Sequence, residues 1–453
     1  MRYVSTRGRS PPMPFTEAVL TGLAPDGGLL VPERFPDVRD RLDAWRRLSY
    51  VELAQEIFRL YVDDVPGEDL DHLIADAFAT FDHPDVVPVV DLGDFKLLEL
   101  FHGPTLSFKD VALQVLGRLF EYILKASGGR LNIMGATSGD TGSAAIHGVR
   151  GRANIRIFVL YPNGKTSRLQ ELQMTTVPDA NVYCLAIDGS FDDCQTILKT
   201  IFGDLGFKSR YQLGAVNSMN WARVLAQMSY YVYAALKSTE PPTFVVPTGN
   251  FGNIFAGLAV SEMGVPIDRF VLATNENDIL ARFFQTGVYR RGPVRYTLSP
   301  SMDIQIASNF ERFLYLRFRH DAERVRAFMA DFAAAGEASL GDGVPDERIT
   351  AVAIDDAVTA RTIHDVYDRD GYIVDPHTAV GIAAARQTTN GAVPFCMAAA
   401  HPAKFPESVD AAIGKPTARH PTLDALSTAP ERRTVLPADK DAVADFVRAH
   451  ATA

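Results

Sequence analysis

The sequence predicts an α/β protein made of two open parallel-sheet domains with a cleft between them, preceded by a helical amino-terminal segment. Two observations lead there. Compact apolar runs at 131–135, 155–161 and 182–187 each precede a stretch with apolar residues at helical spacing. The same alternation returns at 244–247 and 270–273, after a break near 217–223. Strands that alternate with helices need crossover connections, and these give parallel sheets of right-handed connection. A chain of 453 residues is long enough for two or three domains.

Taken in order, residues 1 to about 90 read as a helical preface. A short helix at 15–23 is broken by the turn Ala24, Pro25, Asp26, Gly27, Gly28, and amphipathic helices follow at 50–61 and 68–81. FKLLEL at 95–100 is a short buried strand, and 111–125 is a helix with apolar positions at Val111, Leu113, Leu116, Leu119, Phe120 and Ile123. Residues 285–370 read as a mostly helical, charged elaboration, 394–400 as one more buried strand, and the proline-punctuated tail after Lys415 ends in a helix. The expected units are 1–93, then a large domain from 94–115 and 224–453 carrying the 285–370 insertion, and a small domain at 116–223.

Composition narrows the function. The chain is 47% hydrophobic and 22% charged, with a formal net charge of −10, which argues against a nucleic-acid partner. No apolar run is long enough to cross a bilayer, and MRYVSTRGRS at the amino terminus lacks the apolar stretch of a secretory signal. The cysteines, Cys184, Cys194 and Cys396, are few, odd in number and without metal-ligand spacing, as suits a reducing cytoplasm. No metal site is expected.

The chemistry centres on FHGPTLSFKD at 101–110. Ser107 and Asp110 stand at capping-box spacing, so a helix should begin near Phe108 with Lys109 in its first turn. The positive end of the peptide dipole disfavours an ammonium ion there, and burial between Phe101 and Phe108 would act in the same direction. A lysine with a lowered pKa can serve as a nucleophile or Schiff-base partner. A helix-start lysine that snorkels to water is the plainer alternative. Two loops follow strands and open helices, where ligands gather in this topology. In ATSGDTG the hydroxyls of Thr137, Ser138 and Thr141 and the free backbone N–H groups form an anion cradle sized for a carboxylate, or an ordinary helix start. In GNFGN, Gly249 and Gly252 let the backbone around Asn250, Phe251 and Asn253 wrap a phosphate, or make a mere tight turn. It is neither a Walker loop nor a dinucleotide fingerprint. A lysine, a carboxylate cradle and a phosphate cradle together suit pyridoxal 5'-phosphate.

FHGPTLSFKDVALQ, ATSGDTGSAA, VPTGNFGNI, SMDIQIASNFER, DPHTAVG and HPAKF, in that order, resemble the longer form of threonine synthase. That family lies within the fold-type-II, tryptophan-synthase-β-like pyridoxal-phosphate enzymes. YVSTRG and DGGLLVPE extend the resemblance over nearly the whole chain. The resemblance implies that Lys109 is the Schiff-base lysine and that Gly249, Asn250, Phe251, Gly252 and Asn253 hold the cofactor phosphate. It implies that Thr137, Ser138 and Thr141 hold the substrate carboxylate, and that Asn217, Ser218 and Arg223 of NSMNWAR grip the substrate phosphate. Asp140 stands beside the pyridine oxygen, where many relatives of the fold carry Asn. At Ala399 the chain departs from the family's Thr, a partner of the pyridine nitrogen. The implied reaction converts O-phospho-L-homoserine and water into L-threonine and phosphate, the last step of threonine biosynthesis. A related phospho-amino-acid lyase, a threonine or serine dehydratase, or a non-catalytic paralogue are the alternatives. A cytoplasmic monomer or small homo-oligomer acting on a small molecule is expected.

Overall fold

The computed structural model describes residues 1–137, 139–341, 345–389, 391 and 393–451. Two sheets organise it. The larger runs Ile349–Ala353, Arg269–Thr274, Thr243–Pro247, Phe395–Ala398, Lys96–Glu99, Val89–Asp91, parallel throughout except for the last, antiparallel pair. The smaller runs Thr434–Pro437, Val182–Asp188, Ile155–Pro162, Leu131–Ala136, Leu213–Gly214, all parallel. The central strands of both sheets are covered on both faces, so they appear in sequence as continuous apolar runs: Phe244, Val245 and Val246 have no exposed surface.

Two helices tie the sheets together. Trp221–Leu236 is buried at every position, its polar Arg223, Gln227 and Ser229 included. Lys109–Ser127 leaves the strand Lys96–Glu99 and crosses Asp140–Val149, the helix that follows the inner strand Leu131–Ala136 of the smaller sheet. At the crossing a Cβ on Gly117 would lie 1.9 Å from the carbonyl oxygen of Gly148, and one on Gly148 would lie 2.5 Å from that of Leu113. Only glycine permits backbones this close.

Four features differ from the sequence reading. The stretch 285–370 contains a strand, Ile349–Ala353, which pairs in register with Arg269–Thr274. It lies at the sheet edge with alternate residues exposed, so it lacks the continuous apolar run of its neighbours. The tail, expected with the large unit, returns to the smaller sheet: Thr434–Pro437 pairs with Val182–Asp188, and Lys440–His450 packs its Val443 and Val447 there. The larger sheet also begins before residue 94, at Val89–Asp91. The helical preface includes an antiparallel pair, Tyr3–Ser5 with Leu30–Pro32, too short to show a period.

Candidate active site

The start of the helix Lys109–Ser127 is built differently from the expected capping box. Asp110 accepts the Thr105 N–H and hydroxyl, both at 2.8 Å. The Ser107 hydroxyl accepts the Lys109 N–H at 3.4 Å instead. The reason is steric and local. The 103–107 turn folds over the helix start with Leu106 at φ 58°, bringing the Thr105 donors onto the fully buried Asp110. Burial pushes the Asp110 carboxyl up to about 6 despite those bonds.

Lys109 is thereby held in the cleft rather than in water. Its ammonium donates to Ser301 Oγ at 3.3 Å, lies 3.6 Å from Asp140 Oδ2, and sits over the Phe108 ring. Phe101 turns elsewhere and packs edge-on against His401. Burial lowers the Lys109 pKa first; Asp140 opposes this, and the positive charges of Lys404 and Arg223 reinforce it. Asp140 is itself pushed up by burial, yet Lys404, Lys109 and His377 outweigh that and hold it below the ordinary carboxylate range. Ser301 is fixed from behind: its N–H donates to His377 Nε2 at 3.1 Å while His377 Nδ1 meets Asp375 Oδ1 at 2.8 Å.

A cavity of about 170 Å³ opens beside Lys109, lined by Thr141, Ser218, Arg223, Gln227, the 249–253 loop, Ser301, Met302, His377 and Ala399. The loop's shape follows from its residues. Phe251 is left-handed at φ 62° and caps the helix Gly252–Glu262 without a side-chain bond. Its ring is buried in a stack with Phe284, which offsets the strain of that backbone region. Asn253 is locked by Tyr230 at 2.6 Å and Tyr231 at 3.0 Å. A Cβ on Gly249 would come within 3.1 Å of the Ser301 carbonyl oxygen, so glycine is what lets the 301–309 segment close over the loop. Ser308 then bridges Ser218 Oγ at 2.6 Å and Asn250 Oδ1 at 3.1 Å.

Arg223 is buried in this cavity wall, and its Nε and Nη1 have no hydrogen-bond partner among the described residues. Burial alone pushes its pKa down to about 10, so it remains a cation at neutral pH. One turn further along the same helix, Gln227 Oε1 is likewise buried and unpaired among the described residues. A buried cation with free donors is costly unless an anion arrives to meet it.

Comparison with known proteins decides the family. Residues 2–78 match the family described as Threonine synthase N terminus, 95–394 the Pyridoxal-phosphate dependent enzyme family, and 378–447 the family described as Threonine synthase, C-terminal. Threonine synthase of Pseudomonas aeruginosa is 44% identical, covering 99% of this chain and 98% of its own. That of Saccharomyces cerevisiae is 43% identical over 91% of this chain and 89% of its own. The chain belongs to the threonine synthase family. The structure of pyridoxal-phosphate-bound threonine synthase from Brucella melitensis superposes with a TM-score of 0.97 at 43% identity, covering 100% of both chains. The yeast enzyme superposes with a TM-score of 0.94 at 40% identity, over 99% of this chain and 98% of its own. This is a pyridoxal-phosphate-dependent lyase of fold type II. Maize serine racemase, at 14% identity and a TM-score of 0.52, shares the fold alone.

The cleft fits a phosphorylated aldehyde cofactor. It offers one buried lysine with a lowered pKa and one loop whose first-turn N–H groups have no intrahelical acceptor. Of the residues singled out in the sequence, Lys109, Thr141, Ser218, Arg223 and the five of the 249–253 loop converge on the cavity. Asp140 lies just behind Lys109. Thr137 sits off the lining, its hydroxyl accepting the Gly139 N–H at 3.2 Å. Asn217 also lies off it, its side-chain oxygen accepting the Met219 N–H at 2.9 Å. Ser138 lies outside the described residues. Ala399 reaches the lining; its N–H donates to Thr378 Oγ1 at 3.1 Å, and that hydroxyl donates to Asp375. Sequence reasoning assigned no role to Ser301, His377, Gln227 or Lys404. The first two and Lys404 stood inside the quoted stretches SMDIQIASNFER, DPHTAVG and HPAKF, where the signal was present without a residue to attach it to. No described helix is long and apolar enough to cross a membrane.

Proposed function

We propose that the enzyme converts O-phospho-L-homoserine and water into L-threonine and phosphate, with pyridoxal phosphate carried on Lys109. The observation that carries the reading is the pair of anion-binding features flanking Lys109 in one cavity: the 249–253 loop, and Arg223 with two nitrogens unpartnered among the described residues. One suits the cofactor phosphate and the other the substrate phosphate, whose oxygens a guanidinium fork meets with two parallel bonds. A dehydratase acting on serine or threonine has no use for a second phosphate site.

Bound in the cleft, the cofactor supplies an electron sink for carbanion chemistry at the substrate. The chain supplies the rest. Lys109 Nζ, kept from permanent protonation by its burial, takes and returns the protons at the substrate carbons. Ser301 Oγ aims that nitrogen. Thr141 holds the substrate carboxylate, while Ser218 and Arg223 hold its phosphate and fix the direction in which it leaves. Asp140, 3.6 Å from Lys109 Nζ, would lie beside the bound cofactor. The 301–309 segment, tied through Ser308 to Ser218 and Asn250, closes the cavity over the loop. The enzyme works in the cytoplasm as a monomer or small homo-oligomer.

The test is product analysis. Purified holoenzyme given phosphohomoserine should release phosphate and form threonine in equal amounts. Release of ammonia and a keto acid instead, or activity on threonine but none on phosphohomoserine, would reject the reading.

A further inference from the structure

Lys404 has no exposed side-chain surface, and its ammonium has three donors to satisfy. Three acceptors surround it: Thr105 O at 2.6 Å, Gln173 Oε1 at 2.6 Å and Asp140 Oδ1 at 3.2 Å. They come from the turn before Lys109, from the helix Arg168–Thr175, and from the start of the helix Asp140–Val149. Such a lysine is saturated by its surroundings. The other oxygen of Asp140 faces Lys109 Nζ at 3.6 Å, and Ser301 Oγ lies 3.3 Å from each. One buried carboxylate is therefore shared by two lysines, one saturated and one whose charge must change during catalysis.

We propose that Lys404 is a positioning residue that holds Asp140 as a permanent anion and offsets its attraction, so that the pair tunes the protonation of Lys109 Nζ. Either partner alone would spoil Lys109. A lone Asp140 3.6 Å away would lock Nζ as an ammonium ion, and a lone Lys404 would keep it neutral. Together they leave a small net field at Nζ, which can then gain and lose its proton. The carboxylate at 140 is tolerated in a dry site because the cation at 404 comes with it. The remaining charged groups facing the cluster are Arg223, which also disfavours charge on Lys109; His377, which faces Asp140; Asp110, which faces Lys404 and is tied to Thr105; and His147, whose own charge is disfavoured by burial, Arg150 and Lys404. None of the four contacts both Lys404 and Lys109 through a shared oxygen, as Asp140 does.

The experiment is a double-mutant cycle read on the holoenzyme by titrating the visible absorbance of the bound cofactor against pH, in wild type, Lys404→Met, Asp140→Asn and the double variant. Lys404→Met should raise the midpoint by about one pH unit or more, a tenfold change in proton affinity, and Asp140→Asn should lower it comparably. The double variant should return to within about half a unit of wild type. A Lys404→Met shift under about one unit, or of the same sign as that of Asp140→Asn, overturns the proposal, as does a double variant that retains cofactor no better than Lys404→Met alone. If Lys404→Met does not fold, recovery of folded holoenzyme in the double variant supports the pairing and its failure overturns it. The inference rests on Lys109 being the cofactor lysine, which borohydride reduction and peptide mapping of the same wild-type preparation check separately. A different labelled lysine rejects that reading, whereas a missing or same-signed Lys404→Met shift on a labelled Lys109 rejects the pairing alone.

Discussion

Replacing Arg223 with methionine should move two observables in opposite directions. The side chain is buried, and its Nε and Nη1 have no partner among the described residues. If the substrate phosphate is what meets them, the variant loses at least one charge-assisted hydrogen bond, about 1.5–3 kcal/mol. That corresponds to roughly a ten- to 150-fold fall in kcat/KM for phosphohomoserine. The 249–253 loop is untouched, so cofactor affinity should change little. Unfolding of the substrate-free protein should respond with the opposite sign: methionine fills comparable space without burying unsatisfied donors, which cost about 1–3 kcal/mol, so the melting temperature should rise. Arg223 also disfavours charge on Lys109, so its loss should shift the lysine's titration to higher pH. Phosphate release, cofactor absorbance and thermal unfolding on one preparation give all three readouts. An unchanged kcat/KM with full cofactor, or a lost kcat/KM accompanied by a lower melting temperature, would refute the reasoning.

Further outcomes follow from the same cleft. Lys109→Ala should abolish both the visible cofactor band and covalent labelling by borohydride; retention of either, checked by absorbance and mass, would reassign the lysine. Gly249→Ala should weaken cofactor binding about ten-fold or more in a fluorescence titration, because its Cβ would crowd the Ser301 carbonyl at 3.1 Å and push the 301–309 segment away. Ala399→Thr should change turnover less than ten-fold, under about 1.4 kcal/mol of barrier, since the cavity gives the added hydroxyl room and water serves in its place otherwise; a larger gain in steady-state turnover would show that the missing hydroxyl matters. Asp110, raised to about 6 by burial, binds a proton more tightly folded than unfolded, so its contribution to stability is present below about 4 and lost as pH rises through about 6. Urea unfolding should therefore favour wild type over Asp110→Asn more at pH 4 than at pH 7.

What could be read from the sequence was what is encoded locally. The central strands declare themselves because both faces are buried, and the helix Tyr50–Tyr61 because its apolar residues recur at helical spacing. The S-x-x-acid spacing misled at Ser107, where a nearby turn gave Asp110 the Thr105 donors. Ile349–Ala353 and Thr434–Pro437 escaped because an edge strand shows only part of the apolar pattern, and the latter finds its partner some two hundred and fifty residues back. At the site, the glycine loop and Lys109 carry their chemistry in their own neighbourhoods. Lys404 does not: its partners sit at 105, 140 and 173, and only the folded chain brings them together.

The glycine crossing of Gly117 and Gly148 has a consequence for how such an enzyme tolerates change. It sets the spacing between the helix whose first residue is Lys109 and the helix whose first residue is Asp140, and it does so through backbone rather than through side chains. Each glycine lies eight residues into its helix, roughly 12 Å from the residue whose placement it governs. A methyl group added there cannot be absorbed by a new rotamer, so it spreads the two helices and with them the lysine and the carboxylate. Inherited variants that silence the chemistry should thus cluster at two small residues that never touch a substrate, in a part of the molecule that a survey of the pocket alone would pass over.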